Sequence, residues 1–278
     1  MKRQSIVVAA LSVGVLALIG TGCEKLKARD HLNKGVNSFK NGKYQEAVDH
    51  FQAAVQLDPG YPTARLYLAT AYMNQYIPGA QSEENLRMSK AAMENFLKVL
   101  EQEPNNTVAL ASLASLHYSE AQGIVDLDAK LRKLDEAKEW YQKLASADPQ
   151  NKEAYYSLGV IAWAKWYPAL MAERAKLGMK PEEPGPLKDK KVRDELKEKY
   201  GALIEEGIRN LEKALEIDQE YDDAMAYLNL LIRERADLAE NSEQYKKEVE
   251  IADNWVSKAL ETKKIKAARA ANAPAGAR

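Results

Sequence analysis

The chain has 278 residues, of which 40 are basic and 41 acidic, so its formal net charge at pH 7 is −1. This balance excludes the strong basic bias that is typical of nucleic-acid-binding surfaces and of polybasic membrane patches. Hydrophobic residues make up 46% of the chain, with only 14 glycines and 10 prolines, which favours an all-α fold with a sizeable core.

The start of the chain, as far as Gly22, has the pattern of an export signal. Lys2 and Arg3 precede an uncharged, mostly apolar run from Ile6 to Gly20. A helix that spans a bilayer needs about 20 apolar residues, so this shorter run is typical of a signal peptide. We therefore predict a signal peptide over residues 1–22; an uncleaved N-terminal anchor helix is the alternative.

Cys23 follows this run and is the only cysteine of the chain. With no second cysteine, no disulfide framework explains it. The stretch LIGTGC resembles the bacterial lipobox, in which a peptidase cuts before a cysteine that is then lipidated; Thr21 and Gly22 fit that motif, and Gly20 departs from its usual leucine. The resemblance implies an acyl chain such as palmitate on Cys23 and a lipidated linker over residues 23–27. A free or buried thiol is the alternative.

A 16-residue phrase recurs along the rest of the chain, starting with EAVDHFQAAVQLDPGY at Glu46. Each copy has a small residue in second place, an apolar residue in sixth place and an apolar or small residue in ninth place, which is a helical spacing. The first three copies then place a proline, which cannot continue a helix. A second apolar helix pattern precedes each copy, so the sequence predicts five helix pairs. The later copies begin at Ala91, Glu136, Glu206 and Ile251.

These helix pairs resemble the tetratricopeptide repeat, a helix–turn–helix unit of about 34 residues that stacks into a superhelix. The resemblance implies an all-α solenoid over residues 28–266, with repeats at about 28–61, 62–106, 107–151, 152–221 and 222–262. The copies are 45, 45, 70 and 45 residues apart, so a HEAT-type repeat is the alternative. The matched positions include Gly35, Ala47, Phe51, Pro59, Leu68, Ala92, Phe96, Leu113, Ala137, Leu158, Gly159, Leu211, Leu228, Ala252 and Ala259.

Insertions between the paired helices account for the long steps. Against the family's repeat length, three of them are about 11 residues long and the fourth is about 36 residues long. We expect each short insertion to lengthen the second helix, with Ser82, Asp128 and Ser242 as N-caps. The long one predicts a first helix extending to about Leu177, a loop through Leu187 and a second helix from about Lys188 to Ile217. Such an excursion is often functional, and the loop from Met179 could close over a bound segment.

The sequence contains no visible catalytic constellation. His31, His50 and His117 are isolated, with no partners at metal-ligand spacing. We therefore predict no enzyme activity, no cofactor and no metal site. The last stretch, residues 267–278, has small residues and no apolar anchors, and is predicted to be a disordered tail.

Function is therefore expected to lie on the surface. In the tetratricopeptide family the first helices of the pairs line a concave groove, and carrying that register over places an apolar and aromatic face here. Leu32 and Val36 occupy places where chaperone-binding members carry lysine and asparagine, which disfavours that role. The alternative for Tyr156 and Trp163 is that their rings only pack in the core. The predicted groove residues are Val36, Phe39, Thr70, Met73, Tyr118, Tyr156, Trp163 and Arg233.

These features predict a membrane-anchored protein-interaction scaffold of the bacterial envelope, binding a peptide segment or partner protein in the groove and no nucleic acid. The alternative is an architectural subunit that self-associates or sits in a permanent complex, of the kind found in outer-membrane assembly or pilus biogenesis. Glu24 is not the aspartate that resembles an inner-membrane retention signal. We therefore expect a lipid anchor in the outer membrane, facing the periplasm.

Overall fold

The structure, a computed structural model, describes residues 22–180 and 182–272. Across these ranges the chain forms ten helices and no strand, which confirms the all-α class. The predicted signal peptide falls almost entirely on residues 1–21 and so lies outside the described residues. The helices are α1 (22–40), α2 (Tyr44–Leu57), α3 (Pro62–Met73), α4 (Glu83–Gln102), α5 (Thr107–Gln122), α6 (Leu127–Ala147), α7 (Lys152–Lys176), α8 (Lys190–Ile217), α9 (Asp222–Ala236) and α10 (Ser242–Asn272).

The helices form successive hairpins, each falling in one of the five expected repeats. The second helices lengthen from 14 residues in α2 to 20 in α4, 21 in α6 and 28 in α8. The stretch expected to be a linker, residues 23–27, is instead part of α1. The helix can extend back over this stretch because it contains neither proline nor glycine. No described helix is long and apolar enough to cross a membrane.

The chain divides into two compact units, Met1–Lys133 and Leu134–Arg278, with the boundary inside α6. In the first unit, the core of α1, α2 and α3 is built around Phe51, which is fully buried. Phe51 lies directly against Gly35: a Cβ at that position would come within 2.5 Å of the Phe51 ring. The small residue therefore lets α1 and α2 approach closely.

The second unit has a larger core, formed by α7, α8, α9 and α10. Trp166, Leu170, Ile204 and Leu211 are fully buried within it. Gly159 allows the same close approach in the second unit that Gly35 allows in the first, since a Cβ there would lie 2.4 Å from Cγ of Leu211. Trp166, an aromatic residue of the long insertion, is therefore a core residue.

The helix caps agree with one of the three predictions. Ser82 caps α4, its side chain accepting a hydrogen bond from the backbone N–H of Asn85. The cap of α6 is Asp126 rather than Asp128, because the Asp126 carboxylate accepts from the N–H of Ala129 at 2.8 Å. The cap of α10 is Asn241 rather than Ser242, since Asn241 Oδ1 accepts from the N–H groups of residues 243 and 244. In both cases a residue one or two places earlier reaches the free N–H groups of the first turn.

The C-terminal end of α10 extends beyond the predicted boundary at Ala267. The helix runs to Asn272, so the first half of the expected disordered tail is helical, and residues 273–278 lie outside the described residues. Lys266 pairs with Asp222, and Arg269 Nη1 donates to both carboxylate oxygens of Glu220 at 2.8 and 2.7 Å. This end of the helix thus makes ion pairs with Glu220, just before α9, and with Asp222, the first residue of α9.

Candidate functional site

Five of the eight predicted groove residues lie in the first unit. All five are half-buried, so each is partly accessible and partly packed. Val36 and Phe39 pack against the core around Phe51, and the Phe39 ring meets Tyr44 edge-on at 5.3 Å. The Thr70 hydroxyl is used within its own helix, because it donates to the carbonyl of Leu66 at 2.8 Å. The five are Val36 and Phe39 on α1, Thr70 and Met73 on α3, and Tyr118 on α5.

In the second unit, two of the three remaining groove residues belong to one aromatic cluster. Tyr156 and Trp163 on α7 both contact Tyr227 on α9, edge-on, with ring centroids 5.6 Å apart in each case. Tyr167 stacks on Trp163 at 5.1 Å and keeps 36% of its surface exposed. Tyr156 also meets Tyr221 at 5.0 Å. Five rings are thus in contact where α7 and α9 meet; Tyr221 is buried, and the other four are partly exposed.

Arg233 lies outside this cluster. Its guanidinium is bonded to Asn229 on the same helix and to Asp253 on α10. The adjacent residue, Glu234, takes the place beside Trp163, so the face of α9 is one residue out of step with the predicted register. We call the surface the α7–α9 inner face; its positions are Glu153, Tyr156, Val160, Trp163 and Tyr167 on α7 with Asp223, Tyr227, Leu230 and Glu234 on α9.

Glu234 is the most unusual group on this face. One carboxylate oxygen, Oε1, accepts a hydrogen bond from Trp163 Nε1 at 2.9 Å, and the other, Oε2, is buried with no hydrogen-bond partner. Burial raises the pKa of Glu234 to about 8; the Trp163 hydrogen bond opposes this shift and the nearby charge of Asp237 adds to it. A carboxyl in such a place is largely protonated at neutral pH. Groups of this kind are enriched at functional sites, although structural networks produce them too.

A second acidic group lies at the start of the same face. Glu153 accepts a hydrogen bond from the Tyr221 hydroxyl at 2.5 Å, and burial together with this carboxylate raises the pKa of Tyr221. Lys152 bonds to Asp218 at 2.6 Å and lies 4.9 Å from the centroid of the Tyr221 ring. Burial also raises the pKa of Tyr227, with Asp223 contributing in the same direction. The face therefore combines aromatic rings with carboxyl groups.

The loop of the long insertion does not have the form expected of a lid. Met179 and Leu187 are buried in the core of the second unit, and the N–H of Leu187 donates to the carbonyl of Asp237. Arg174, only 3% exposed, donates to Asp237 and to the carbonyls of residues 180 and 183. Both ends of the loop are packed and residues 180 and 183 are bonded to a buried guanidinium, which favours packing; closure over a bound segment stays a prediction.

The histidines are less isolated than the sequence suggested. Nδ1 of His31 lies 3.3 Å from Nδ1 of His50, bringing α1 and α2 together, although the two residues are 19 positions apart. His117 lies 3.4 Å from Nζ of Lys133. Among the residues that the structure describes, no group of three or more His, Cys, Asp or Glu side chains could hold a metal ion.

A cleft of about 570 Å³ lies between α8, α9 and α10, and none of the five rings lines it. The buried side chains of Ile204 and Leu238 line it, together with Arg235. Arg235 is bonded to both Glu205 and Glu248 at 2.7 Å. The charges in this cleft are therefore already satisfied within the protein.

Two segments of the chain, residues 38–75 and 123–165, match models of the tetratricopeptide repeat. Human RNA polymerase II-associated protein 3 is 31% identical over 145 residues, which is 52% of this chain but only 18% of that protein. The chain thus spans less than a fifth of this relative.

Solved structures show the same fold at low identity. A double mutant of MamA RS-1 matches with a TM-score of 0.54 at 17% identity, covering 86% of this chain and 96% of that one. MamA 41-end from Desulfovibrio magneticus RS-1 matches with a TM-score of 0.53 at 17% identity and the same coverage. Because so few residues are identical, these likenesses bear on the fold alone.

The sequence identified Tyr156 and Trp163 but missed Tyr167, Tyr227 and Glu234. A signal was present, because positions 223, 227, 230 and 234 follow one helical stripe and carry two carboxyls and an aromatic ring. What the sequence could not supply was the rotation of α9 against α7, which decides whether Arg233 or Glu234 meets Trp163.

Proposed function

We propose that this chain, which is a tetratricopeptide-repeat protein, acts as a scaffold that holds a segment of a partner protein against the first helices of its hairpins. Repeat proteins of this kind bind protein or peptide partners through extended surfaces. The observation that carries the proposal is the α7–α9 inner face, where four aromatic rings are in contact and remain partly accessible. Large rigid rings lose little entropy on binding and dominate interface energetics.

Site-specific photo-crosslinking in the native cell tests the proposal. The photoreactive residue is placed at Tyr167 and at Leu230 on the inner face, with Arg209, exposed on α8, as the control position. We expect the two inner-face positions to give the same crosslinked partner and the control position to give much less of it. Equal or absent crosslinking at all three positions would contradict the scaffold proposal.

We further propose that a lipid on Cys23 anchors the scaffold in the bacterial envelope, in the outer membrane and facing the periplasm. The support is the lipobox-like sequence and the exposure of Cys23 at the start of α1. Labelling with a tagged fatty acid should mark the wild type but not Cys23→Ala. Fractionation should then find the wild type with outer membranes and the variant elsewhere. Equal labelling of both chains would refute the anchor.

A second candidate function is architectural, with copies of the chain associating through an exposed helix. It is favoured by the aliphatic residues Ile251, Leu260 and Ile265 of α10, each 42–56% exposed. Light scattering of the purified chain would show a concentration-dependent mass, which Leu260→Lys should reduce to that of one chain. A single-chain mass at all concentrations would exclude this candidate and leave the scaffold proposal intact.

A further inference from the structure

The α7–α9 inner face carries acidic side chains and no basic one among its own positions; Asp223 has Nζ of Lys263 on α10 at 3.9 Å. Of its nine positions, three carry carboxyl groups and none carries lysine or arginine. The carboxyls lie along the aromatic rings: Glu153 bonds to Tyr221, Asp223 acts on Tyr227, and Glu234 bonds to Trp163. A ligand that fits such a surface is positively charged, because opposite charges steer and orient association.

The neighbouring basic side chains of α7 and α9 are all committed to other carboxylates. Lys152 pairs with Asp218, and Lys165 pairs with Asp135. On α9, Arg233 is bonded to Asp253, and Arg235 to Glu205 and Glu248. Every lysine and arginine of α7 as far as Tyr167, and every one of α9, is therefore paired with another carboxylate. None of them is left to pair with Glu234.

Glu234 also lacks a hydrogen-bond partner on one side. Its Oε2 atom is buried and unpartnered, whereas Oε1 is bonded to the indole of Trp163. A buried polar atom without a partner destabilises the folded protein, and a cationic donor supplies the missing hydrogen bond. Its pKa of about 8 is consistent with a carboxyl that gives up its proton to water when a cation arrives.

The aromatic rings beside Glu234 suit the same kind of ligand. A guanidinium or ammonium group is attracted to the face of a tryptophan or tyrosine ring within about 6 Å of its centroid. Trp163 and Tyr167 stack together next to Glu234, and Tyr167 keeps 36% of its surface exposed. The apolar stem of an arginine or lysine can pack on these rings while its charged end reaches the carboxyl group.

We propose that the α7–α9 inner face recognises a basic segment of the partner, whose arginine or lysine side chain packs on Tyr167 and Trp163 and pairs with Glu234. This inference rests on the proposed scaffold function and adds the chemistry of the partner to it. It places Glu234 as the residue that selects a cation and the two rings as the surface that holds its stem.

Titration of the full chain with capped amino acids tests the charge selection. The probes are arginine and lysine with acetylated N-termini and methylamide C-termini, and citrulline capped in the same way, which has nearly the shape of arginine but no charge. The readout is the NMR signal of the Trp163 indole N–H, assigned with Trp163→Phe. We expect arginine and lysine to shift this signal at concentrations at least about tenfold lower than citrulline, because citrulline lacks the charge.

Glu234→Gln keeps the shape of the side chain and should remove that tenfold preference. Glu198→Gln, at an exposed position of α8, is the matched control and should retain it. Equal responses to arginine and citrulline in the wild type, or a preference that survives in Glu234→Gln, would overturn the inference. The scaffold proposal fails separately, in the crosslinking experiment; a crosslinked partner segment without a basic residue would leave the scaffold standing and refute only the cation site.

Discussion

The first and fourth hairpins share one packing contact, but they differ in whether they carry an insertion and a buried charge. In α1–α2 a glycine, Gly35, lies against Phe51, and in α7–α8 Gly159 lies against Leu211. The first hairpin follows the repeat without an insertion, and the core around it is apolar. The fourth carries the long insertion and with it the buried guanidinium of Arg174. The glycine contact is thus common to both hairpins, whereas the buried ion pair of Arg174 and Asp237 accompanies the long insertion.

The largest expected effect comes from breaking the buried ion pair of the fourth hairpin. Arg174→Leu leaves Asp237 buried without its partner and removes the donor to the loop carbonyls, so we expect a loss of about 3–5 kcal/mol in unfolding free energy. Adding Asp237→Leu should restore part of that loss, since the uncompensated charge is gone. Chemical unfolding of the three chains measures both effects. A cost below about 1 kcal/mol for Arg174→Leu would show that the pair does not hold the insertion.

The shared glycine contact should respond alike in the two hairpins. Gly35→Ala and Gly159→Ala each place a Cβ within 2.5 Å of a buried side chain, so we expect each to lose about 1–3 kcal/mol of stability through overpacking. Gly201→Ala is the matched control, because its nearest neighbour is Lys197 Cγ at 3.9 Å, and alanine should stabilise that helix by about 0.4–1 kcal/mol. Thermal unfolding decides between them, and a stabilising Gly159→Ala would contradict the close approach.

The stability of the protein should depend on pH in a way that a carboxyl group on an ordinary exposed surface would not produce. The group responsible is Glu234 on the α7–α9 inner face. The pKa of Glu234 is about 8 in the folded protein against an ordinary 4.5, so the folded state holds its proton over a range where the unfolded chain loses it. Stability from this group is therefore full below about pH 4.5 and falls as the pH rises to about 8.

Glu234→Gln should flatten this slope by at least about 1 kcal/mol between pH 5 and 8, because the amide does not ionise. The unfolding midpoint of the two chains in urea, measured across that range, gives the difference, with Glu198→Gln as an exposed control. Parallel curves for the wild type and Glu234→Gln would mean that the carboxyl is ionised and solvated in the folded state.

The smallest effect is expected at the exposed end of α10. Arg269 pairs with Glu220, but both side chains are about half exposed, at 64% and 47%. Arg269→Ala should cost no more than about 1 kcal/mol, the usual range for surface ion pairs. Comparing the cost of Arg269→Ala with that of Arg174→Leu tests whether burial decides how much an ion pair contributes to stability. A cost similar to that of Arg174→Leu would reject this explanation.

The sequence predicted the parts of the structure that follow the repeat. The phrase at Glu46 and its copies located the helix pairs, because small residues at fixed places and terminal prolines are local signals. The same reasoning missed the role of Arg174, since a buried charge in a helix is revealed only by the loop that folds over it. It also missed the helical start of the predicted tail at Ala267, beside which Lys266 and Arg269 form ion pairs with Asp222 and Glu220.

The candidate site was only partly visible for a related reason. Tyr156 and Trp163 follow from the repeat register, but their contact with Tyr227 depends on the rotation of α9. Helical spacing predicts which residues share a face of one helix, and not which faces of two helices meet. Whether the predicted residues bind a partner stays a prediction for both units.

If the α7–α9 inner face is a binding surface, a substitution there should weaken partner binding without lowering the stability of the fold. Tyr167 offers the sharpest test, because it is the most exposed of the rings that contact Trp163. The partner segment that crosslinking identifies is titrated into the wild type and into Tyr167→Ala, and calorimetry gives the affinity of each. The unfolding temperature of both chains gives the effect on stability. We predict a loss in affinity of about 30-fold, equivalent to about 2 kcal/mol, with little change in unfolding temperature. Unchanged affinity, or a fall in stability as large as the fall in binding, would contradict the account.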